Sequence, residues 1–297
     1  MTINMRNKIL LKPGDKIGIC APSGSFDKLK FEKGLEVIKN MGFNPIVPKD
    51  IYKKKRYLAG SDPLRAKVIT DFLIDDNIKA IMCARGGFGA IRILDLLERQ
   101  LIQRNTKFFI GFSDITALLV NLTRFPLIKL IHGPNIVSLA KAESETVNSL
   151  YQSLTNGTWS IKVNNPVVLN RGFCKARLLG GNLTTLNHLV GTKYQAGFKD
   201  CIFFMEDIQE SPYKIDRMLT QMKLAGCFNG IKGVVTGSFQ NCGNLEIIHE
   251  IIQEIFEEYH IPILAGVDSG HGRINLSLPM GVEVTVDTDK TELEFNR

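Results

Sequence analysis

The segment Phe108-Phe-Ile-Gly-Phe-Ser113-Asp-Ile-Thr-Ala-Leu-Leu119 carries a hydroxyl nucleophile where an apolar strand would hand over to a helix. A tight strand-to-helix turn holds such a serine at the carboxyl edge of a sheet, the geometry of a nucleophile elbow. The helix N-terminus that follows offers backbone N–H groups and a positive dipole end, both suited to a developing oxyanion. The same residues also fit a plain helix N-cap, where Ser and Asp are favoured. The pattern departs from GxSxG, because Ile115 occupies the place of the second glycine.

Three further segments hold candidate partners. Ile81-Met-Cys-Ala-Arg85-Gly86-Gly87-Phe-Gly-Ala90 ends an apolar run in a glycine loop. Paired glycines let backbone N–H groups approach a ligand closely. The loop is neither GxGxxG nor a GxxxxGKS-type phosphate loop, so an oxyanion-hole N–H suits it better than a nucleotide. A tight turn that simply needs glycine also fits. Cys201-Ile-Phe-Phe-Met-Glu206-Asp207 sets two carboxylates at the end of a buried strand, where rigid backbone can hold an imidazole in one tautomer. A capping or surface acid is the alternative. Neighbours on a strand face opposite sides, so only one of the pair is expected to reach a histidine. In Gly266-Val-Asp-Ser-Gly-His271-Gly-Arg-Ile-Asn-Leu-Ser-Leu-Pro279 a histidine stands between glycines in a polar loop. Of the five histidines it least resembles packing, although an exposed loop residue without a role fits too.

Metal chemistry is not indicated. The six cysteines form no CxxC pair and the histidines no HxH or HxxxH pair. Cysteines inside apolar runs, as in Ile17-Gly-Ile-Cys20, read as buried reduced thiols and point to a reducing compartment.

These segments need a scaffold, and the first half supplies alternating strand and helix patterns. Lys16–Ala21, Asn44–Pro48, Ile78–Cys83 and Lys107–Gly111 read as strands. Helices are expected over Phe31–Asn40, from the cap Ser61-Asp62-Pro63 to about Ile74, near Ala90–Gln100, and over Ile115–Leu122. Repeated units of this length imply a doubly wound, mostly parallel sheet with helices on both faces. Beyond about residue 140 the pattern changes: Thr155–Val163 reads as a turn followed by a strand, Asn164–Gly172 as polar and turn-rich, and past a boundary between about 150 and 172 a smaller α/β domain follows. It has strands at Cys201–Glu206, Gly233–Gly237 and Pro262–Gly266, helices near Ile215–Leu224 and Leu245–Glu258, and a β-rich end at Val282–Phe295. The expected division is a nucleophile domain over 1–155, a linker over 156–171, and a second domain over 172–297.

Composition narrows the class. Apolar residues at 44% and charged residues at 23% fit a globular chain rather than a disordered one. The net charge of +7 is scattered, its densest run being Lys53-Lys54-Lys55-Arg56, and no nucleic-acid motif accompanies it. No apolar run approaches the roughly 20 residues of a membrane helix, and residues 1–12 lack a signal-peptide core. Neither nucleic acid nor membrane is therefore an expected partner, and a cytoplasmic location is.

Taken together, the segments resemble the LD-carboxypeptidase family of serine peptidases. The resemblance rests on Pro13-Gly-Asp-Lys-Ile-Gly-Ile-Cys-Ala-Pro-Ser-Gly24, Leu58-Ala-Gly-Ser-Asp62, Ala84-Arg-Gly-Gly-Phe-Gly89, Ile110-Gly-Phe-Ser-Asp-Ile-Thr-Ala117 and His132-Gly-Pro134. The second half adds Leu179-Gly-Gly-Asn-Leu183, Met205-Glu-Asp207, Tyr213-Lys-Ile-Asp-Arg-Met-Leu219 and Gly270-His-Gly272. It implies Ser113 as nucleophile, Glu206 as the acid of the triad and His271 as base, with the chemistry lying between the two domains. Backbone N–H groups of Asp114, Gly86 and Gly87 would bind the oxyanion, and no metal or organic cofactor is required. The implied reaction releases terminal D-alanine from a cytoplasmic murein tetrapeptide in peptidoglycan recycling. Arg85 could pair with the terminal carboxylate of that substrate, or serve the loop structurally. The family makes a homodimer plausible. Two other readings stand beside this one: a hydrolase of peptide-nucleotide or aminoacyl-adenylate antibiotics that confers self-immunity, and a non-enzymatic small-ligand-binding protein.

Overall fold

Strands whose side chains are buried on both faces must lie inside a layered α/β structure. The first half of the chain builds such strands. The computed structural model describes residues 10–97 and 106–296. β1 (Lys16–Cys20), β2 (Asn44–Ile46), β3 (Ile78–Cys83), β4 (Lys107–Gly111) and β5 (Ile128–His132) pair in parallel in the order β5-β4-β3-β1-β2. The period of two sorts their side chains. Ile17, Ile19, Ala80, Met82, Phe108 and Ile110 face α1 (Lys28–Asn40), the short α4 (Ile136–Leu139) and α5 (Ser144–Thr155), and Cys20, Ile81, Cys83 and Phe109 face the opposite core with α2 (Asp62–Ile74). Ser61 caps α2 by accepting from the Leu64 N–H, and Pro63 sits in its first turn. The strand order reverses between β1 and β3, and open parallel sheets bind ligands at the carboxyl ends beside that point.

The second sheet has the order β6-β14-β13-β8-β9-β10-β11-β7. Its centre is parallel: β8 (Phe173–Asn182), β9 (Cys201–Ile208), β10 (Gly233–Gln240) and β11 (Ile263–Ala265). β13 (Glu283–Asp287) and β14 (Glu292–Asn296) extend it antiparallel and form the β-rich end. α6 (Leu183–Asn187), α7 (Pro212–Leu224) and α8 (Leu245–Phe256) follow β8, β9 and β10 respectively.

The stretch 156–171, expected to be a linker, is instead built into this sheet. β6 (Thr158–Lys162) pairs with β14 and β7 (Val167–Asn170) with β11, so the two strands form its opposite edges. Trp159 stacks on Phe295 at a 5.0 Å centroid distance, which gives the polar-looking β6 its apolar purchase. The chain also returns to the first sheet. β12 (Leu278–Met280) lies antiparallel beside β5, with Leu278 opposite His132. The helix expected near Ala90–Gln100 is a 3-10 segment over Ile91–Leu96, and its end at Glu98–Gln100 lies outside the described residues. The N–H of Ala90, just ahead of that segment, is held by the Asp114 carboxylate, a tertiary bond that sets how the segment begins.

α3 (Thr116–Leu122) joins the two sheets. It is buried along its whole length, and its first residue, Thr116, sits against β8, where a Cβ on Gly181 would meet Thr116 Oγ1 at 2.5 Å. The Thr116 hydroxyl oxygen accepts from the Asn182 N–H at 3.0 Å. The helix that begins beyond Ser113 is thereby docked on the carboxyl end of β8, next to the end of β9. Among the described residues no helix is long and apolar enough to cross a membrane.

Candidate active site

Ser113 lies just beyond the end of β4, in a conformation that the strand-to-helix turn imposes. Phe112 is extended, Ser113 has φ +67°, and a helical turn starts immediately. A non-glycine residue at positive φ is uncommon and costs on the order of 1–2 kcal/mol. That cost is met by the packing around it. Ile115, standing where GxSxG has glycine, is buried, and its side chain lies over Gly111, where a Cβ would meet Ile115 Cγ2 at 2.8 Å. The elbow is closed by a bulky residue against a glycine from the strand side.

The glycine loop after β3 lies beside the serine. A Cβ on Gly86 would stand 2.8 Å from Ser113 Cβ and 3.0 Å from its Oγ, so this position must be glycine for the hydroxyl to sit as it does. Gly87, at φ +103°, turns instead toward the backbone of Gly24. Asp114 ties these loops together with its side chain. Its Oδ2 accepts from Ser23 Oγ at 2.6 Å, at the end of β1, and from the Ala90 N–H at 2.8 Å. Burial pushes the Asp114 carboxyl above the usual carboxylate range, and these two donors oppose the shift. Arg85 is exposed, and its guanidinium donates to the Ser25 carbonyl at 2.5 Å.

From the second sheet comes Glu206, wholly buried near the end of β9. Strand alternation turns Asp207 to the other side, where it accepts from Asn182 Nδ2 at 2.9 Å and from the Thr184 N–H and hydroxyl at 2.8 Å. Glu206 faces the loop between β11 and β12. There Oε2 meets His271 Nδ1 at 2.7 Å and accepts from the His271 N–H at 3.2 Å. Gly270, at φ +112°, lets the loop approach this closely, since a Cβ would fall 2.5 Å from Oε2. The loop is further held by the Gly270 N–H on Asn275 Oδ1 and the Gly272 N–H on Ser238 Oγ, both at 2.9 Å. His271 Nε2 lies 3.1 Å from Ser113 Oγ.

Serine, imidazole and carboxylate are therefore linked by two hydrogen bonds across the two sheets. Burial favours the neutral form of His271, but the Glu206 carboxylate outweighs it and holds the imidazole above its ordinary pKa of 6.5. Full burial likewise pushes Glu206 up, and attraction to His271 and the nearby His132 ring overcomes this and holds it at about 2. Such an arrangement can take a proton from a hydroxyl and stabilise the imidazolium that results.

Some residues around the site were not legible as such. His132, at the end of β5, is fully buried, with Nε2 3.9 Å from Glu206 Oε1. Ser23, Asn275 and the Asp114 side chain secure the loops rather than the reacting atoms. Ser23 and Asp114 lie in segments that carry the family resemblance and Asn275 in the glycine-flanked loop, but nothing in their spacing foretells these side-chain contacts.

Comparison with known proteins agrees with this layout. Residues 17–133 match the family described as LD-carboxypeptidase N-terminal domain, and residues 175–286 its C-terminal domain. A probable murein peptide carboxypeptidase of Bacillus subtilis is 31% identical, over 97% of this chain and 93% of the relative. The microcin C7 self-immunity protein of Escherichia coli is 26% identical over 96% and 94%. The crystal structure of a muramoyltetrapeptide carboxypeptidase from Oxalobacter formigenes superposes with a TM-score of 0.85 at 25% identity, covering 95% of this chain and 99% of that one. Two family regions in order, spanning the sheet that offers the serine and the sheet that offers the histidine and carboxylate, leave one assignment: this chain belongs to the LD-carboxypeptidase family and is a serine carboxypeptidase by class.

Proposed function

We propose that this protein hydrolyses the bond between an L-centre and a terminal D-alanine in a murein tetrapeptide, with Ser113, His271 and Glu206 as its triad. The observation that carries the reading is the continuous chain of hydrogen bonds from Ser113 Oγ to His271 Nε2, 3.1 Å, and from His271 Nδ1 to Glu206 Oε2, 2.7 Å. His271 takes the Ser113 proton as the hydroxyl attacks the scissile carbonyl, then gives it to the departing D-alanine nitrogen. Water activated by the same imidazole releases the acyl group from Ser113. Glu206 fixes the Nδ1–H tautomer and balances the charge of the imidazolium. Backbone N–H groups of Asp114 and of the Gly86–Gly87 loop bind the oxyanion, and the close approach of Gly86 to Ser113 supports that role. Arg85, exposed beside this loop, is the candidate for the substrate carboxylate. The described cysteines are all free and buried, which fits the reducing cytoplasm where such peptides are recycled.

The test is release of D-alanine from L-Ala-D-Glu-diaminopimelyl-D-Ala by wild type and by Ser113→Ala. Turnover that falls by about 10³-fold or more in the variant supports the reading. Undiminished turnover in Ser113→Ala would remove the nucleophile. The similarity to a self-immunity protein over nearly the whole chain favours a second reading, hydrolysis of an aminoacyl-adenylate antibiotic. The single tryptophan, Trp159, lies on β6 at the edge of the second sheet and is stacked on Phe295, which argues against it as the platform for a nucleobase. Cleavage of an aminoacyl sulfamoyl adenosine without cleavage of the tetrapeptide would reverse the order of the two.

A further inference from the structure

The triad leaves one oxygen of Glu206 unaccounted for. Oε2 takes both contacts from His271, at 2.7 and 3.2 Å, whereas Oε1 is buried without a hydrogen-bond partner among the described residues. The polar atom facing it is His132 Nε2, at 3.9 Å, equally buried and equally without a partner. A carboxylate oxygen buried without a protein partner is costly, and two such orphans opposite each other are complementary. The His132 ring is confined by Phe204, at a 5.0 Å centroid distance, and by Phe112, at 6.1 Å. Behind it, Ser269 Oγ lies 3.5 Å from Nδ1 and already donates to the Leu276 carbonyl at 2.8 Å, so the contact on that side is loose. A carboxylate offers only lone pairs, so the nitrogen turned toward it must carry the proton.

We propose that His132 is a positioning residue whose Nε2–H donates to Glu206 Oε1 in the working enzyme, so that the carboxylate is gripped between two imidazoles. The gap has to close by about 1 Å to reach hydrogen-bond distance. The proposal rests on the reading of Glu206 and His271 as acid and base. The titratable groups that face His132 are Glu206 from β9 and, beyond it, His271 from the loop before β12. Phe112, Phe204 and Ser269 supply uncharged surroundings, and Leu278 is its strand partner. Sharing the charge of Oε1 with a donor weakens the pull of Glu206 on the His271 proton. Without that donor His271 holds its proton more tightly and becomes a base only at higher pH.

The experiment is nitrogen-15 NMR of the histidine rings in the full chain, for wild type and three variants at His132. In wild type, His132 Nε2 is expected to be protonated and Nδ1 not. His132→Leu, and His132→Asn whose amide reaches only the Nδ1 position, are expected to raise the His271 midpoint by about half a pH unit or more. The acidic limb of turnover should move with it. His132→Gln, whose amide nitrogen overlays Nε2, is expected to keep the wild-type midpoint. An unprotonated Nε2 in wild type, or a His271 midpoint that does not move in His132→Asn, overturns the proposal. If the leucine variant does not fold, the asparagine and glutamine variants still decide, and the wild-type nitrogen shifts decide without any variant. A merely structural histidine would lower turnover while leaving the midpoint in place. Ring titrations need no substrate, so they stand apart from the triad reading, which fails instead if Ser113→Ala keeps its turnover.

Discussion

Ser113 sits at φ +67° because the strand-to-helix turn leaves it no other place, and its hydroxyl is aimed by that same backbone. Strain of this kind separates two substitutions that remove the hydroxyl equally. Ser113→Gly and Ser113→Ala should both be inactive, but glycine adopts positive φ freely and alanine does not. The glycine variant should therefore be more stable than the alanine variant by about 1 kcal/mol in urea unfolding. Equal stability would mean the turn is unstrained. The ionisation of His271 makes a second residue-scale prediction. A base must be neutral, and Glu206 holds this imidazole protonated to above its ordinary 6.5. The kcat/KM profile should thus fall as pH drops through a value above 6.5, while Glu206, at about 2, stays ionised throughout. An acidic limb below 6 would contradict His271 as base. At this scale the serine, the glutamate and the histidine were each legible as chemistry at a strand end or in a glycine-flanked loop. His132 was not, because nothing in the spacing of two residues on different sheets announces that they will face each other.

Asp114 shows how the elements are kept in register around Ser113. One buried oxygen receives a hydroxyl from the loop after β1 and an N–H from the loop after β3, so three strand ends converge on one carboxylate. Asp114→Ala strands both donors, each at a cost of about 1–3 kcal/mol. A loss of about 2–4 kcal/mol in unfolding free energy is expected, together with a lower kcat as the Gly86 loop loosens. Asp114→Asn keeps an acceptor and should lose much less. If alanine is tolerated as well as asparagine, the carboxylate does not hold the loops. The central strands were readable because burial on both faces writes near-continuous apolar runs, as in Ile78–Cys83 and Lys107–Gly111. Edge strands carry less of that signal. β6 was readable as a strand after the turn at Thr155, but β12 is a three-residue strand with a proline at its centre, and β7 lies in the turn-rich stretch Asn164–Gly172.

Taken as a whole, the molecule does not divide where its sequence pattern changes. The first sheet borrows β12 from beyond residue 270, the former linker supplies both edges of the second sheet, and α3 packs into a core shared by both. Calorimetry of the full chain should accordingly show one cooperative unfolding transition with equal calorimetric and van't Hoff enthalpies. Two resolved transitions would show that the halves fold independently.

The position of β12 has a consequence for how the protein is made. The His271 loop is strung between β11 on one sheet and β12 on the other, so its imidazole is aimed at Ser113 only when both anchors are in place. Synthesis proceeds from the N-terminus, and early segments fold first. A growing chain on the ribosome thus displays its serine for most of translation without an imidazole to arm it. Hydrolysis by the proposed triad can therefore begin only after β12 has emerged and the loop is anchored at both ends.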